Sequence, residues 1–176
     1  MKLGVALRRF AVPRIAVTVF HLIRNRAFVS PRSEVELSRL LTIGRKAQVG
    51  SFVKIKASDG PVTIGARTDI ACGCWIGGHA NGITIGDDCL LGPNVSIVGV
   101  NYRYDRVDQT MREQGHVSAG PITIGNNVWI GAGAIILDGA RIGDGVIVSP
   151  NSIVSGTIPE LAIVQGNPAK VVFVRR

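Results

Sequence analysis

The sequence predicts an all-β chain wound as a parallel β-helix of triangular cross-section, and three observations carry that expectation. An aliphatic residue returns every six positions at Ile43, Val49 and Ile55, at Ile64, Ile70 and Ile76, at Ile85, Leu91 and Ile97, and at Ile124, Ile130, Ile136, Ile142, Val148 and Val154. In nine of those fifteen hexads the next residue is Gly. A hexapeptide repeat cannot bury its apolar side alone and does so by stacking on its neighbours. The breaks in the period supply the third observation: nine residues separate Ile55 from Ile64 and Ile76 from Ile85, twenty-seven separate Ile97 from Ile124, and each break follows three hexads. Three hexads therefore make one coil. The aliphatic side chains stack inside the prism as ladders, with strands of successive coils about 4.8 Å apart.

Residues 1–30 precede the repeat and read differently. Two helical stretches, 1–11 and 14–23, are separated by Pro13, which suits a first helical turn and not an interior. Leu3, Leu7, Phe10, Ile15, Val19, Phe20 and Ile23 are interspersed with Arg8, Arg9, Arg14, Arg24 and Arg26. Two readings stand: a cap whose apolar faces cover the open end of the solenoid while the arginines face water, or a helix resting on an anionic membrane surface. His21 belongs to this region and is read as structural.

Residues 31–176 form the β-helix. Two insertions are bulges of three extra residues, and the third adds twenty-one to give a long loop at 98–123. All three leave from the same corner. A solenoid carries its working residues on such insertions, because the coils are committed to stacking.

Composition agrees and excludes several classes. Gly is high at 22 residues and aromatics are low at 5%, as a narrow interior that admits aliphatic side chains but few rings requires. The net charge of +8 suits an anionic surface or ligand, but no helix-turn-helix, zinc-finger spacing or aromatic RNA-binding signature accompanies it, so nucleic acid is not expected as a partner. Cys72, Cys74 and Cys89 are odd in number, lack metal spacing and differ in hexad phase. They fit reduced thiols in a cytoplasmic protein. The longest uncharged run near the N-terminus, 15–23, is nine residues, too short to cross a bilayer and unlike a signal peptide.

The segment Gly120-Pro121-Ile122-Thr123-Ile124-Gly125-Asn126-Asn127-Val128-Trp129-Ile130-Gly131-Ala132, with the later Gly166-Asn167-Pro168-Ala169-Lys170, resembles the hexapeptide acetyltransferases. The nearest branch is the sugar and polysaccharide O-acetyltransferases related to maltose and galactoside acetyltransferases. The resemblance implies a left-handed β-helix and a homotrimer. It also implies acetyl-coenzyme A held between neighbouring prisms, a sugar or polysaccharide acceptor, and a cytoplasmic protein, either free or peripheral to the inner face of the membrane. Spacing gives the prism but not its hand, and the usual right-handed crossover preference points the other way.

Moving an acetyl group from a thioester to a hydroxyl requires a base for the hydroxyl proton and donors for the developing oxyanion. Histidine is the ordinary base near neutral pH. In the resembling enzymes that His follows an Asn at the start of the long loop, with an aromatic and then Asp after it. This chain reads Asn101-Tyr102-Arg103-Tyr104-Asp105, so Tyr102 stands where the base is expected. Asn101 and Asp105 are candidate acceptor contacts. A phenol, with an ordinary pKa of about 10, is a poor base unless a cation lowers that value, and Arg103 and Arg106 are its neighbours in sequence. Two imidazoles are candidates to substitute. His79 lies in the bulge after Ile76, one coil from Tyr102 and close to its level, and His116 ends the long loop. Gly73 stands where some relatives carry an acceptor-contacting Asn.

By the same resemblance Trp129, Gly131 and Ala132 flank the thioester and pantetheine arm, Pro150 and Ser155 line the coenzyme channel, and Lys170 lies near the nucleotide phosphates. Gly156 replaces a Lys of some relatives. An active O-acetyltransferase and a catalytically silent relative serving as a binding or scaffold subunit both remain open. A carbonic anhydrase on the same prism would need two His five residues apart, and five beyond His116 is Pro121. No metal is expected.

Overall fold

The computed structural model describes residues 12–176, so the helix expected over 1–11 lies outside the described residues. Helix α1 (Arg14–Asn25) begins immediately after Pro13 and ends where Arg26 turns left-handed at φ 52°. The chain then enters a prism with three parallel faces. Face A carries Phe28–Val29, Gln48–Val49, Asp69–Ile70, Leu90–Leu91, Trp129–Ile130, Ile147–Val148 and Ala162–Gly166. Face B carries Glu34–Val35, Lys54–Lys56, Trp75–Gly77, Ser96–Val98, Ile135–Leu137 and Ile153–Val154. Face C carries Leu41–Ile43, Val62–Ile64, Ile83–Ile85, Ile122–Ile124, Arg141–Ile142 and Thr157–Ile158. A final strand, Ala169–Val174, turns back antiparallel on Ala162–Gly166.

The six-residue period becomes three ladders. On face B, Ile55, Ile76, Ile97, Ile136 and Val154 are in register from coil to coil and all are fully buried. Val49, Ile70, Leu91, Ile130 and Val148 do the same on face A, and Ile43, Ile64, Ile85, Ile124 and Ile142 on face C. Each such side chain contributes roughly 1.5–3 kcal/mol by leaving water. The glycine beside the aliphatic residue is explained by coil spacing: a Cβ on Gly44 would lie 2.5 Å from the backbone of Gly65 and Ala66. Backbone N–H groups bond to the next coil, as from Gly50 to the Ile70 carbonyl at 2.8 Å.

Left-handed residues turn the corners in successive coils. Lys46, Arg67, Asp88 and Asn127 do so between faces C and A, and Phe52, Gly73, Asn94, Gly133 and Asn151 between A and B. The prism winds left-handed. The right-handed crossover preference arises from twisted strands feeding a connecting helix. Strands of two or three residues joined by tight corners carry little of that bias.

The third corner, between B and C, carries all the insertions. Cys74 and Cys89 are buried inside the prism and Cys72 is exposed, all three as free thiols. Burial pushes the Cys74 thiol up to about 11 and raises that of Cys89 as well. No helix among the described residues is long and apolar enough to cross a membrane.

Helix α1 lies against the first coil in an orientation that the cap reading did not anticipate. It buries only Val17, Thr18 and His21, and leaves Ile15, Val19, Phe20, Leu22 and Ile23 exposed. Polar anchors decide this orientation: the Thr18 hydroxyl donates to the Val29 carbonyl at 2.6 Å and the Asn25 amide to the Ile43 carbonyl at 2.6 Å.

Candidate active site

The long insertion is a folded hairpin. Asn101–Tyr102 pairs antiparallel with His116–Val117, and the register sets Tyr102 directly opposite His116. At the tip a short helix, α2 (Met111–Gln114), is closed by a capping box in which the Thr110 and Glu113 side chains bond each other's backbone N–H. The Gln114 amide donates to the Arg106 carbonyl at 2.8 Å, and Arg106 pairs with Asp108. Arg106 is thereby committed away from Tyr102.

The hairpin is fastened at its base by Asp138, a residue that the repeat pattern did not single out. The residue is 7% exposed. One oxygen accepts from the Asn101 side-chain amide and the other from the Ala119 backbone N–H, so a single side chain holds both ends of the insertion. Asp138 occupies the position two beyond the inner Ile136. The equivalent residues after Ile55, Ile76 and Ile97 are Ala57, Gly78 and Gly99. An ionisable group in a column of small residues was the signal that could have found it.

The bulge of the coil below is tied to the same hairpin. The Asn81 amide donates to the Ser118 hydroxyl at 3.1 Å, and the backbone N–H of Gly99 to the carbonyl of Gly77 at 3.2 Å. Gly60 in the bulge beneath is required by close approach, since a Cβ there would lie 1.8 Å from the His79 carbonyl oxygen.

Three rings meet at this corner. The Tyr102 and His116 centroids are 4.8 Å apart and those of His79 and His116 are 5.7 Å apart. His79 is half-buried, with a buried Nδ1 that has no hydrogen-bond partner. His116 and Tyr102 are exposed. The arrangement places one solvent-open imidazole, His116, beside the phenol and a second, His79, against the first. It can take a proton from a hydroxyl group docked against the hairpin.

The other sequence candidates are distributed more widely. Asn101 spends its amide on Asp138, which gives it a fastening role, and Asp105 lies in the exposed loop beyond it. Gly73 adopts φ 74°, and a Cβ there would meet the Asn94 side-chain oxygen at 2.3 Å, so the corner stack accounts for the absence of a larger residue. Gly156 adopts φ 81°, which disfavours any side chain, Lys included. Trp129 faces outward on face A between Leu90 and Ile147. Gly131, Ala132 and Pro150 lie at the A–B corner, where a Cβ on Gly131 would be 2.5 Å from the Pro150 nitrogen. Ser155 follows face B, and Lys170 is exposed on the C-terminal hairpin opposite Gln165. The Gly131, Ala132 and Pro150 group and the ring cluster thus occupy opposite edges of face B and do not converge within one chain. Among the described residues no group of three His, Cys, Asp or Glu side chains is placed to hold a metal ion.

Residues 121–156 match the family model described as bacterial transferase hexapeptide (six repeats), and 82–101 match the hexapeptide repeat of succinyl-transferase. The chain is 35% identical over 125 residues to a putative lipopolysaccharide biosynthesis O-acetyl transferase, WbbJ, of Escherichia coli K12, covering 71% of this chain and 56% of that protein. It is similar to the crystal structure of a maltose O-acetyltransferase from Clostridium difficile 630, with TM-score 0.66 and 30% identity, covering 78% of this chain and 72% of the other. AntD, an N-acyltransferase from Bacillus cereus solved as a point mutant in complex with dTDP and coenzyme A, shares the fold at TM-score 0.77 and 21% identity, covering 90% of this chain and 88% of the other. The chain spans about half the length of the curated relatives it matches.

Proposed function

The chain belongs to the hexapeptide-repeat acetyltransferase family, in its sugar and polysaccharide O-acetyltransferase branch, and we propose that it transfers an acetyl group from acetyl-coenzyme A to a hydroxyl of a sugar or surface-polysaccharide precursor. The observation that carries this reading is the ring cluster at the B–C corner, where Tyr102, in place of the expected base, stacks 4.8 Å from His116. His116 is the base. Its exposed imidazole takes the acceptor proton as the hydroxyl oxygen forms a bond to the thioester carbonyl carbon. The carbon–sulfur bond then breaks, and the imidazolium returns its proton to the leaving thiolate. His79 sits behind and steadies the ring, and Tyr102 borders the acceptor. An imidazole thus lies beside the position that Tyr102 occupies, which favours catalysis over a silent scaffold.

Acetyl-coenzyme A is the donor on this reading, as coenzyme A is the ligand of the Bacillus cereus N-acyltransferase of the same fold. Trp129, Gly131, Ala132, Pro150, Ser155 and Lys170 are proposed to hold it. Because Gly131, Ala132 and Pro150 lie at the A–B corner and the ring cluster at the B–C corner of one prism, the site is completed by a neighbouring chain, and the working form is a homotrimer. Among the outward side chains of face B, Val98, Ile135, Leu137 and Ile153 in its later coils are apolar and half-buried, and supply a surface for that contact. Light scattering on the purified protein is expected to give three times the monomer mass, and a stable monomer would leave the donor site without its second wall. The reading places the enzyme in the cytoplasm, where acetyl-coenzyme A is available. The membrane contact expected of residues 1–30 concerns a different part of the molecule, the basic end of the prism.

Incubation with acetyl-coenzyme A and a panel of sugars tests the activity. Thiol release that depends on one acceptor, with an ester on that acceptor by mass spectrometry, is the expected result. Coenzyme binding with no acceptor acetylated across the panel would turn the reading to the silent scaffold.

A further inference from the structure

The charge of the molecule is concentrated at one end. Residues 1–56 hold twelve Lys and Arg against two Asp and Glu, whereas residues 57–176 hold eight against ten. The basic third contains the first coils of the prism and α1, the helix that turns its apolar side outward. Ile23 is 78% exposed, and Ile15, Val19, Phe20 and Leu22 are exposed beside it, with Arg14, Arg24 and Arg26 exposed along the same segment. An apolar ridge flanked by arginines, on a helix too short to span a bilayer, has the composition of an element that lies in the plane of a membrane interface.

Beside that ridge is a groove of about 500 Å³ lined by Phe20, His21, Arg24, Glu36, Arg39 and Arg45. Arg24, Arg39 and Arg45 have no carboxylate partner among the described residues. The one carboxylate in the groove, Glu36, is engaged with the Ala57 backbone N–H at 3.0 Å. His21 is 4% exposed, yet neither of its ring nitrogens has a partner. A neutral imidazole carries one donor and one acceptor, and leaving both unmade in a buried position is costly. Burial, with the charge of Arg24 second, holds its pKa below the ordinary histidine value. The ring therefore offers an N–H donor without adding a fourth positive charge to the groove.

We infer that the basic end of the prism is a docking surface for an anionic phospholipid membrane, with the α1 ridge inserted among the acyl chains and a headgroup phosphate seated among Arg24, Arg39, Arg45 and His21. Charge complementarity selects this occupant: a second copy of the chain would bring the same excess of arginines against itself, and an uncharged partner would leave the three guanidinium groups, of which Arg24 lies over the Phe20 ring, without a counter-charge. The phosphate accepts from the guanidinium groups and from the imidazole N–H, and so supplies the partner that His21 lacks. The long axis of the solenoid then stands away from the bilayer, with the ring cluster raised by the intervening coils.

Sedimentation of the full-length protein with phosphatidylcholine vesicles, with and without phosphatidylglycerol, tests this. Binding is expected only where phosphatidylglycerol is present and is expected to weaken as salt is added. The paired substitution Ile15→Ser with Ile23→Ser is expected to lower partitioning by roughly tenfold or more, and Arg39→Ser with Arg45→Ser to remove the preference for the anionic lipid. All four positions are exposed, so the thermal transition should be retained. Equal binding to both vesicle types, or none to either, overturns the proposal. So does a change of oligomeric state on Ile15→Ser with Ile23→Ser while vesicle binding is unaltered, which would assign the ridge to contact between copies. Inorganic phosphate alone shifting the His21 ring resonances in a protein that ignores vesicles would assign the groove to free phosphate and overturn the membrane role.

Discussion

Replacing His116 with Ala is expected to reduce acetyl transfer by roughly two to four orders of magnitude, the range a positioned general base supplies, while acetyl-coenzyme A binding changes little. His116 lies on the exposed hairpin, opposite Tyr102 in register and 4.8 Å from it between centroids. Removal of that imidazole leaves the half-buried His79 as the other imidazole of the cluster. His79→Ala is expected to lower the rate less, because His79 lies 5.7 Å behind His116 and touches the acceptor only through it. Tyr102→Phe keeps the ring and removes the hydroxyl, so it should alter acceptor affinity more than turnover. Tyr102→His returns an imidazole to the position that the family uses, and is expected to restore part of the rate lost in His116→Ala. Full activity in His116→Ala together with loss of activity in Tyr102→Phe would mean that the phenol is the base. Full activity in both His variants would remove imidazole catalysis altogether.

The parts of this molecule legible in the sequence are those governed by a period. Ile43 to Val154 had to recur at six-residue spacing because each must face the axis of the prism, and the coil phase of three hexads followed from where Ile55, Ile76 and Ile97 were interrupted. Counting from those corners also set His79 at about the level of Tyr102. It could not show how the residues from 99 to 121 fold, since their geometry depends on particular side chains: Thr110 with Glu113, Gln114 with the Arg106 carbonyl, and Asp138 from the coil above. The face that α1 buries was hidden for a similar reason. An amphipathic pattern suggests that the apolar side packs inward; Val17 does so, beside the hydrogen bonds of Thr18 and Asn25, while Ile15, Val19, Phe20, Leu22 and Ile23 face outward. Gly73 and Gly156 looked like functional departures in sequence, and their left-handed backbone gives each a local structural cause.

Replacing Asp138 with Ala is the second change with a large expected effect, and it separates the hairpin from the prism. The carboxylate accepts from the Asn101 amide and the Ala119 N–H, and its removal strips a partner from two donors at a buried position. Each such donor costs about 1–3 kcal/mol when left unpaired in the interior. The inner ladders do not pass through Asp138, so the loss is local. Hydrogen exchange at residues 101–102 and 116–117 should accelerate while the amides of faces A and C stay protected, and the main thermal transition should shift by only a few degrees. Transfer should fall by at least about tenfold, because His116 and Tyr102 are aligned by the strand pairing that Asp138 anchors, and a misplacement of about 1 Å is enough to lose such a factor. Asp138→Asn distinguishes anchoring from charge. Its side-chain oxygen can still accept from Ala119, and a flipped Asn101 can accept from the new amide, so much of the order and rate should return. Retention of full activity and unaltered exchange in Asp138→Ala would show that the hairpin holds its shape without the clamp. Equal loss of activity in Asp138→Asn and Asp138→Ala, with normal exchange in the former, would show instead that the negative charge acts on the imidazole cluster rather than on the fold of the loop.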